Sequence, residues 1–218
     1  MMEKRNSIYF DCKTGVSGDM VLGALLDLGV SAETLKKGLL KLNIGDFDIK
    51  IIEEEKYGVK GTNVYIKELE PFHEHNHENN NSEEKHIHRS YREIEKIIIN
   101  SNFSEGIKTK AISIYKAIAQ AESTVHETDI DNVHFHELGR NTAIFNIVGV
   151  AICLELLGAG NIYCSELHDG TGFVECSHGL IPIPVPAVKE LLKNSGIKFV
   201  QEKENNEMVT PSGLGILK

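Results

Sequence analysis

Hydrophobic and polar residues are arranged with two different periods along this chain, and together these periods predict a mixed fold of helices and strands. Apolar residues at three- and four-residue steps predict helices over 20–30, 31–42, 90–101 and 104–126. Short apolar runs and period-two alternation predict strands over 7–12, 47–56, 62–69, 161–167 and 170–176. The segment from Asn141 to Leu157 is apolar nearly all round, so we expect a buried helix that ends at Gly158.

Several element boundaries carry local signals of their own. Ser31 fits a helix N-cap, and Ser90 with Glu93 fits a capping box. In "LIPIPVPA" every second residue is proline, which requires an extended segment, and Pro186 suits the first turn of a following helix. The fold class we predict is α+β, with helices packed on one or two short sheets around the buried helix, and with residues 57–61 connecting two of the strands.

Composition and charge narrow the classes of protein to consider. Hydrophobic residues make up 41% of the 218 residues, which suits a globular domain with a real core. The net charge of −9 argues against partners such as nucleic acid or an anionic membrane surface. The start of the chain does not resemble a signal peptide, and four scattered cysteines are typical of cytosolic thiols. We therefore expect a cytoplasmic protein; self-association stays open.

Residues 70–90 form a tract rich in Asn, Glu and His that contains half of the ten histidines. The tract has too few apolar residues to offset the entropy of ordering, so we expect a disordered loop. Neutral imidazole is a borderline-soft ligand that suits nickel, zinc and copper. The tract therefore either collects metal or is a solvated loop that binds metal incidentally. Its candidate ligands are His73, His75, His77, His86 and His88.

A second histidine group stands in "NVHFHELGR". His134 and His136 with Glu137 supply the residue types of a partial metal site, and in an extended segment both imidazoles would face one side. The alternative is one capping and one exposed histidine. His168 and His178 stand near predicted loops, and either of them is a candidate to join this group.

The turn "DCKTGVSGDM" lies between a predicted strand and a predicted helix. Gly15 and Gly18 can point backbone N–H groups at a helix N-terminus, which favours an anion. Asp11 and Asp19 can instead face a cation, and a purely structural turn would use Asp19 as the helix cap. The segment "VTPSG" offers a second hydroxyl and backbone cradle, although alone it indicates a turn.

Five blocks in one order resemble a single family. They are "IYFDCKTGVSGDMVLGALLDLGV", the histidine-rich insert, "VHFHELG", "GTGFVECSHGLIPIPVPA" and "VTPSGLGIL". From Ile8 to Leu217 the chain resembles the nickel-insertion proteins of the lactate racemase cofactor pathway (LarC). The resemblance implies a cyclometallase of the lyase class that inserts nickel into a pyridinium bis-thiocarboxylate mononucleotide, with CTP and a divalent cation required.

The resemblance also implies roles for the blocks. The tract would gather nickel, and the "DCKTGVSGDM" and "HFHELG" regions would help to form the site. Asp11 and Asp19 become candidate catalytic residues, and His134, His136 and Glu137 candidate nickel ligands. The candidate cofactor-binding residues are Gly15, Ser17, Gly18, Thr210 and Ser212.

The chain departs from the family pattern in two ways. Members continue into a C-terminal nucleotide-binding domain, so residues 1–218 resemble the N-terminal region, and CTP and the divalent cation are expected only with that missing half. The protein partners that we expect are this C-terminal half or lactate racemase maturation proteins. Where the family reads close to "AVDSIVDIVG", this chain reads "RNTAIFNIVG", which puts Thr142 and Asn146 at the acidic positions and Arg140 nearby. The alternative functions are a nickel storage or delivery protein without catalysis and a domain whose tract is incidental.

Overall fold

The structure is a computed structural model that describes residues 6–56, 58–69 and 88–218. The helices are α1 Gly18–Asp27, α2 Ala32–Leu39, α3 Tyr91–Asn100, α4 Glu105–Val125, α5 Asn141–Leu156, α6 Pro186–Leu192 and α7 Pro211–Leu217. The strands are β1 Asn6–Phe10, β2 Phe47–Lys56, β3 Val59–Glu68, β4 Arg89–Ser90, β5 His134–Phe135, β6 Ala159–Cys164, β7 Leu167–Asp169, β8 Phe173–Cys176, β9 Gly179–Pro182 and β10 Phe199–Gln201. The α+β class is confirmed.

The sheets are smaller and more numerous than we predicted. Within the described ranges the strands form five two-stranded sheets instead of one or two. β1 pairs with β6 and β7 with β10 in parallel, while β2–β3, β4–β5 and β8–β9 are antiparallel. Periodicity identifies a strand but does not specify its partner, because pairs such as Asn6 with Ala159 join residues far apart in sequence.

The β2–β3 connection is also shorter than the predicted 57–61. The ladder runs as far as the pair Lys56 and Val59, so only residues 57–58 lie between the strands. Gly58 has a φ of +79°, a conformation that suits a two-residue hairpin turn. The lysine and glycine of "VKG" therefore belong to the strand.

Three predicted helix starts are confirmed. The Ser31 side chain accepts a hydrogen bond from the Thr34 N–H at the start of α2. Ser90 and Glu93 form a reciprocal capping box at the start of α3. Pro186 occupies the first turn of α6, where its missing N–H costs nothing because that group has no partner within the helix.

Helix α5 is buried along most of its length. It packs against α1, α2, α4 and β3. The Phe145 ring lies against Phe47 with a centroid distance of 4.3 Å. Gly149 lets two leucines approach the helix, since a Cβ there would lie 3.3 Å from Leu22 and 3.4 Å from Leu35. In the part of the chain that the structure describes, no helix has both the length and the apolar character to cross a membrane.

Candidate functional site

A cavity of about 480 Å³ lies where five segments of the chain meet. They are the end of α4, residues 134–138, the β8–β9 hairpin, the start of α6 and residues 207–212. The polar and titratable groups of its wall are Glu122, His126, His134, His136, Glu137, Glu175, Cys176, His178, Glu207, Thr210 and Ser212. Val174, Ile181, Val185 and Pro186 supply part of its apolar wall. The volume and the mixture of surfaces are those of a small-molecule site.

Four imidazole rings contact one another in a row, and three of them line this cavity. His88 and His136 have ring centroids 4.9 Å apart, and His136 and His178 have centroids 4.6 Å apart, both edge to face. His178 is stacked on His126 at 5.0 Å. These four histidines come from four different segments of the chain, and we refer to them as the histidine row. His134 also lines the cavity, but its side chain is exposed.

The final turn of α4 supplies one end of the row. His126 is the C-cap residue of α4, and Glu122 lies one turn before it. His126 Nε2 lies 3.5 Å from Glu122 Oε2. Burial raises the pKa of Glu122, and the two imidazoles of His126 and His178 only partly oppose that rise. A carboxylate in this position orients the neighbouring imidazole.

Glu137 is fixed by the tip of the β8–β9 hairpin. Its Oε1 accepts hydrogen bonds from the backbone N–H of Ser177 at 2.9 Å and from the Ser177 hydroxyl. Burial alone would raise the pKa of Glu137, but these hydrogen bonds outweigh it and hold the pKa below its usual value. A charged Glu137 therefore ties the hairpin, and with it His178, to the residues that follow β5.

His136 is one of the two inner members of the row, between His88 and His178. Its Nδ1 is buried without a hydrogen-bond partner among the described residues. Burial lowers the pKa of His136, and repulsion from His178 and His88 lowers it further. The ring is thus kept neutral near pH 7, which is the form of imidazole that binds a metal ion.

The segment 207–212 forms another part of the wall and lies against the glycine turn that precedes α1. Thr210 caps α7 by accepting from the Gly213 N–H at 3.1 Å, and its hydroxyl lies 2.9 Å from the Ser212 hydroxyl. The segment "VTPSG" therefore starts a helix, although its spacing alone indicated a turn. A Cβ on Gly15 would lie 2.1 Å from the Met208 carbonyl oxygen, so only glycine allows this approach.

Asp169 holds the 207–212 segment in place. Its side chain is completely buried, and Oδ1 accepts from the backbone N–H groups of Gly170, Met208 and Val209. Burial raises the pKa of Glu207, with Asp169 and Glu137 adding to the effect. No signal in the sequence pointed to Asp169 or Glu207, because each acts through residues distant along the chain. The pair of Glu122 and His126 is local, but we did not single it out from the sequence.

The structure brings together only some of the predicted site residues. Thr210 and Ser212 line the cavity, whereas Gly15, Ser17 and Gly18 lie behind that wall. The two candidate catalytic residues are exposed, and neither borders the cavity. The cap of α1 is Ser17, whose hydroxyl accepts from the Met20 N–H and donates to Asp19. The two candidate catalytic residues that lie outside the cavity are thus Asp11 and Asp19.

The remaining predicted ligands divide into three groups. His73, His75, His77 and His86 lie outside the described residues. His168 does not join the cavity, because its Nδ1 is 2.6 Å from Glu202 Oε1 and its Nε2 is 3.5 Å from Glu166. His178 does join it, as does His126, which we did not single out from the sequence. Among the described residues, no three ligand-type side chains already surround one point.

Comparison with known sequences now decides the family. The sequence profile of the family described as "Nickel insertion protein" matches residues 8–218. The chain belongs to the nickel insertion protein family. The confirmed resemblance makes nickel the metal to consider at the histidine row, because imidazole nitrogen is a suitable ligand for it.

Named relatives of this nickel insertion family member share more than a third of its residues. A pyridinium-3,5-bisthiocarboxylic acid mononucleotide nickel insertion protein from Acetivibrio thermocellus is 46% identical over 213 residues, which is 97% of this chain and 51% of the relative. Proteins of the same description from Clostridium kluyveri and a Thermotoga species are 42% and 40% identical, over 52% of each relative. The chain thus spans about half the length of the curated relatives it matches. No solved structure matches it.

Proposed function

We propose that this chain is the metal-handling part of a nickel cyclometallase and that its cavity is where nickel meets a pyridinium mononucleotide. The observation that carries the proposal is the row of imidazoles along a cavity of about 480 Å³ in a member of the nickel insertion family. A cavity of this size accommodates a small organic molecule. The ion is cargo in this proposal, since the named relatives insert nickel into a mononucleotide precursor.

The cavity contains groups suited to the nickel ion and groups suited to the mononucleotide. Imidazole nitrogen binds nickel through a neutral ring, and His136 is held in that form by burial. The Thr210 and Ser212 hydroxyls in the same cavity supply hydrogen-bonding groups for the mononucleotide. We keep Gly15, Ser17 and Gly18 as proposed supports of that wall. Asp11 and Asp19 would have to act from outside the cavity.

The relatives' greater length suggests what else the reaction needs. Since the chain covers about 51% of the Acetivibrio thermocellus relative, we propose that a protein corresponding to the rest of that length acts with it. CTP and a divalent cation would be used by that partner, and the nickel-loaded product would pass to lactate racemase maturation. We propose the cytoplasm as the location, in keeping with the four free cysteines.

Reconstitution tests the proposed insertion. The full chain is mixed with the C-terminal half of the Acetivibrio thermocellus relative, the mononucleotide, nickel and CTP, and the product is followed by mass spectrometry. We expect a nickel-containing mononucleotide that does not form when the chain is omitted. No product in the complete mixture, with the full-length relative active in parallel, would overturn the proposal.

A second candidate function is nickel storage or delivery without catalysis. It is favoured by Thr142 and Asn146, which replace acidic residues of the family. In the structure Asn146 Oδ1 is buried without a partner among the described residues, and the Asn146 Cβ lies 3.8 Å from where a Gly18 Cβ would be. The Asn146 position therefore lies beside the glycine turn, where a carboxylate would meet the N-terminus of α1.

Restoring the acidic pair separates the two functions. If the chain only stores nickel, the double variant Thr142→Asp with Asn146→Asp should gain insertion activity that the parent lacks. Thr142→Asn in the parent is the control, because it has the size of aspartate without its charge. Activity already present in the parent supports the insertion function and excludes pure storage.

A further inference from the structure

The spacing of the histidine row matches the spacing of imidazoles that share one metal ion. A metal about 2.1 Å from an imidazole nitrogen lies about 3.2 Å from the ring centroid, so two rings at right angles around one ion have centroids about 4.6 Å apart. The two edge-to-face pairs come near this value, with centroid distances of 4.6 Å for His136 and His178 and 4.9 Å for His88 and His136, whereas His126 is stacked on His178 at 5.0 Å. Right angles between ligands are those of square-planar and octahedral sites, the geometries of Ni²⁺.

The middle of the row also contains a nitrogen without a hydrogen-bond partner. His136 Nδ1 is buried, and no described residue supplies a hydrogen bond to it. Buried polar atoms are nearly always paired, so an unpaired one in a cavity points to a ligand that completes it. The rings now contact each other instead of converging on one point. Aiming the rings at a common centre would require rotation of the side chains about χ1 and χ2.

The surrounding acidic groups hold the row in place. Glu122 aligns His126 at 3.5 Å, and Glu137 fixes the hairpin next to His178 through Ser177. Glu137 is the charged one of the two, and it adds negative charge near His136, where a cation would be bound. Glu137, which we predicted as a ligand, accepts two hydrogen bonds through Oε1 and so acts here as a positioning residue.

We propose that His136 and His178 are the two anchoring ligands of one Ni²⁺ ion, and that His88 and His126 supply flanking imidazoles. This inference rests on the proposed function, because nickel is the cargo that function assigns to the cavity. It places the ion in the wall of the cavity that Thr210 and Ser212 also line, where a bound mononucleotide would reach it. The site thus differs from the ligand set expected from the sequence, in which His126 had no role and His178 was no more than a candidate to join.

Nickel titration in a tract-free background tests this site. The background is the full chain with His73, His75, His77 and His86 replaced by alanine, which leaves the histidine row intact. We expect it to bind one nickel ion, with imidazole scattering in the X-ray absorption spectrum. His178→Ala should weaken that binding by at least about 10-fold, as should His136→Ala. His178 is exposed, so its variant is not expected to misfold.

His168→Gln is the matched control, because His168 is paired with Glu202 and Glu166 away from the cavity. It should leave nickel affinity unchanged, and circular dichroism checks that each variant is folded. A background that binds no nickel, or a folded His178→Ala variant with undiminished affinity, would overturn the proposed site.

Reconstitution with the same proteins separates this inference from the proposed function. Product formation by a background that binds no nickel would refute the site and leave the function standing. Nickel binding that depends on His136 and His178, without product in the complete mixture, would support the site and refute the proposed function.

Discussion

At the residue scale, Gly15 faces the strictest steric demand in the wall behind the cavity. Its φ is +93°, and a Cβ would lie 2.1 Å from the Met208 carbonyl oxygen. Gly29 has a similar φ of +104°, but a Cβ there would have no atom within 4 Å. A side chain would therefore add conformational strain at both glycines, but only at Gly15 would its Cβ also overlap another atom.

We predict that Gly15→Ala destabilises the protein by about 3 kcal/mol or more, because it combines strain with backbone overlap. Gly29→Ala is the matched control and should cost about 1–2 kcal/mol from strain alone. Urea unfolding measures both. Equal losses would show that the approach of Met208 does not determine the need for glycine.

The cysteines illustrate how burial sets reactivity. Burial raises the pKa of Cys153 to about 12, and burial together with the charges of Cys164 and Asp11 raises the pKa of Cys12 to about 11. The thiolate is the reactive form and the metal ligand, so neither thiol is available to nickel near neutral pH. Cys176, which lines the cavity with its Sγ 3.9 Å from His178 Nδ1, is the thiol closest to the histidine row among those described.

We predict that iodoacetamide at about pH 8 modifies Cys176 in the folded protein and spares Cys12 and Cys153. Peptide mass spectrometry reads out each site, and the urea-unfolded protein, in which all four react, is the control. Rapid modification of Cys153 under folding conditions would show that its surroundings open readily.

At the element scale, the start of α3 follows directly from the sequence. Ser90 and Glu93 form both hydrogen bonds of a capping box. The backbone N–H and the hydroxyl of Ser90 donate to the Glu93 carboxylate, and these two bonds lower the pKa of Glu93. This start also fixes the residues beside it, since Arg89 and Ser90 pair with Phe135 and His134. The cap thereby helps to position His88, one residue before β4, against His136.

We predict that Ser90→Ala lowers the free energy of unfolding by about 1–2 kcal/mol, because two bonds and the link to β5 are affected. Ser31→Ala is the control, since Ser31 makes one capping bond at α2, and it should cost about 0.5–1 kcal/mol. A Ser90→Ala variant no less stable than Ser31→Ala would contradict the added role of the box.

Elements were predictable where their signals are local. The periodicity of 104–126 and the caps at Ser31 and Ser90 depend on residues within a few positions of each other, so α4 and two helix starts were recovered. The sheets were not, because β1 pairs with β6 across more than 140 residues. Two-residue strands such as β5 are too short to show any alternation.

At the scale of the whole molecule, buried carboxylates make stability depend on pH. Burial, with Asp169 and Glu137, raises the pKa of Glu207 above its value of about 4.5 in an unfolded chain. The folded state therefore binds that proton more tightly than the unfolded state does. Its contribution to stability is complete below about pH 4.5 and is lost as pH rises through the raised pKa.

We predict that Glu207→Gln removes part of the stability loss between about pH 5 and about pH 8. Urea unfolding at both values measures it, and the exposed Glu204→Gln is the control, expected to retain the parent's pH dependence. A Glu207→Gln variant with the parent's full pH dependence would contradict the role assigned to Glu207.

The sequence by itself determined the helical segments, several of their boundaries, the α+β class and the family, because each depends on local spacing or on blocks read in order. Only the tertiary structure decided which histidines meet. His88, His126, His136 and His178 come from four segments, and their contacts exist because α4, the β8–β9 hairpin and β5 pack around one cavity. Such contacts depend on long-range packing, and the spacing of residues along a chain does not encode them.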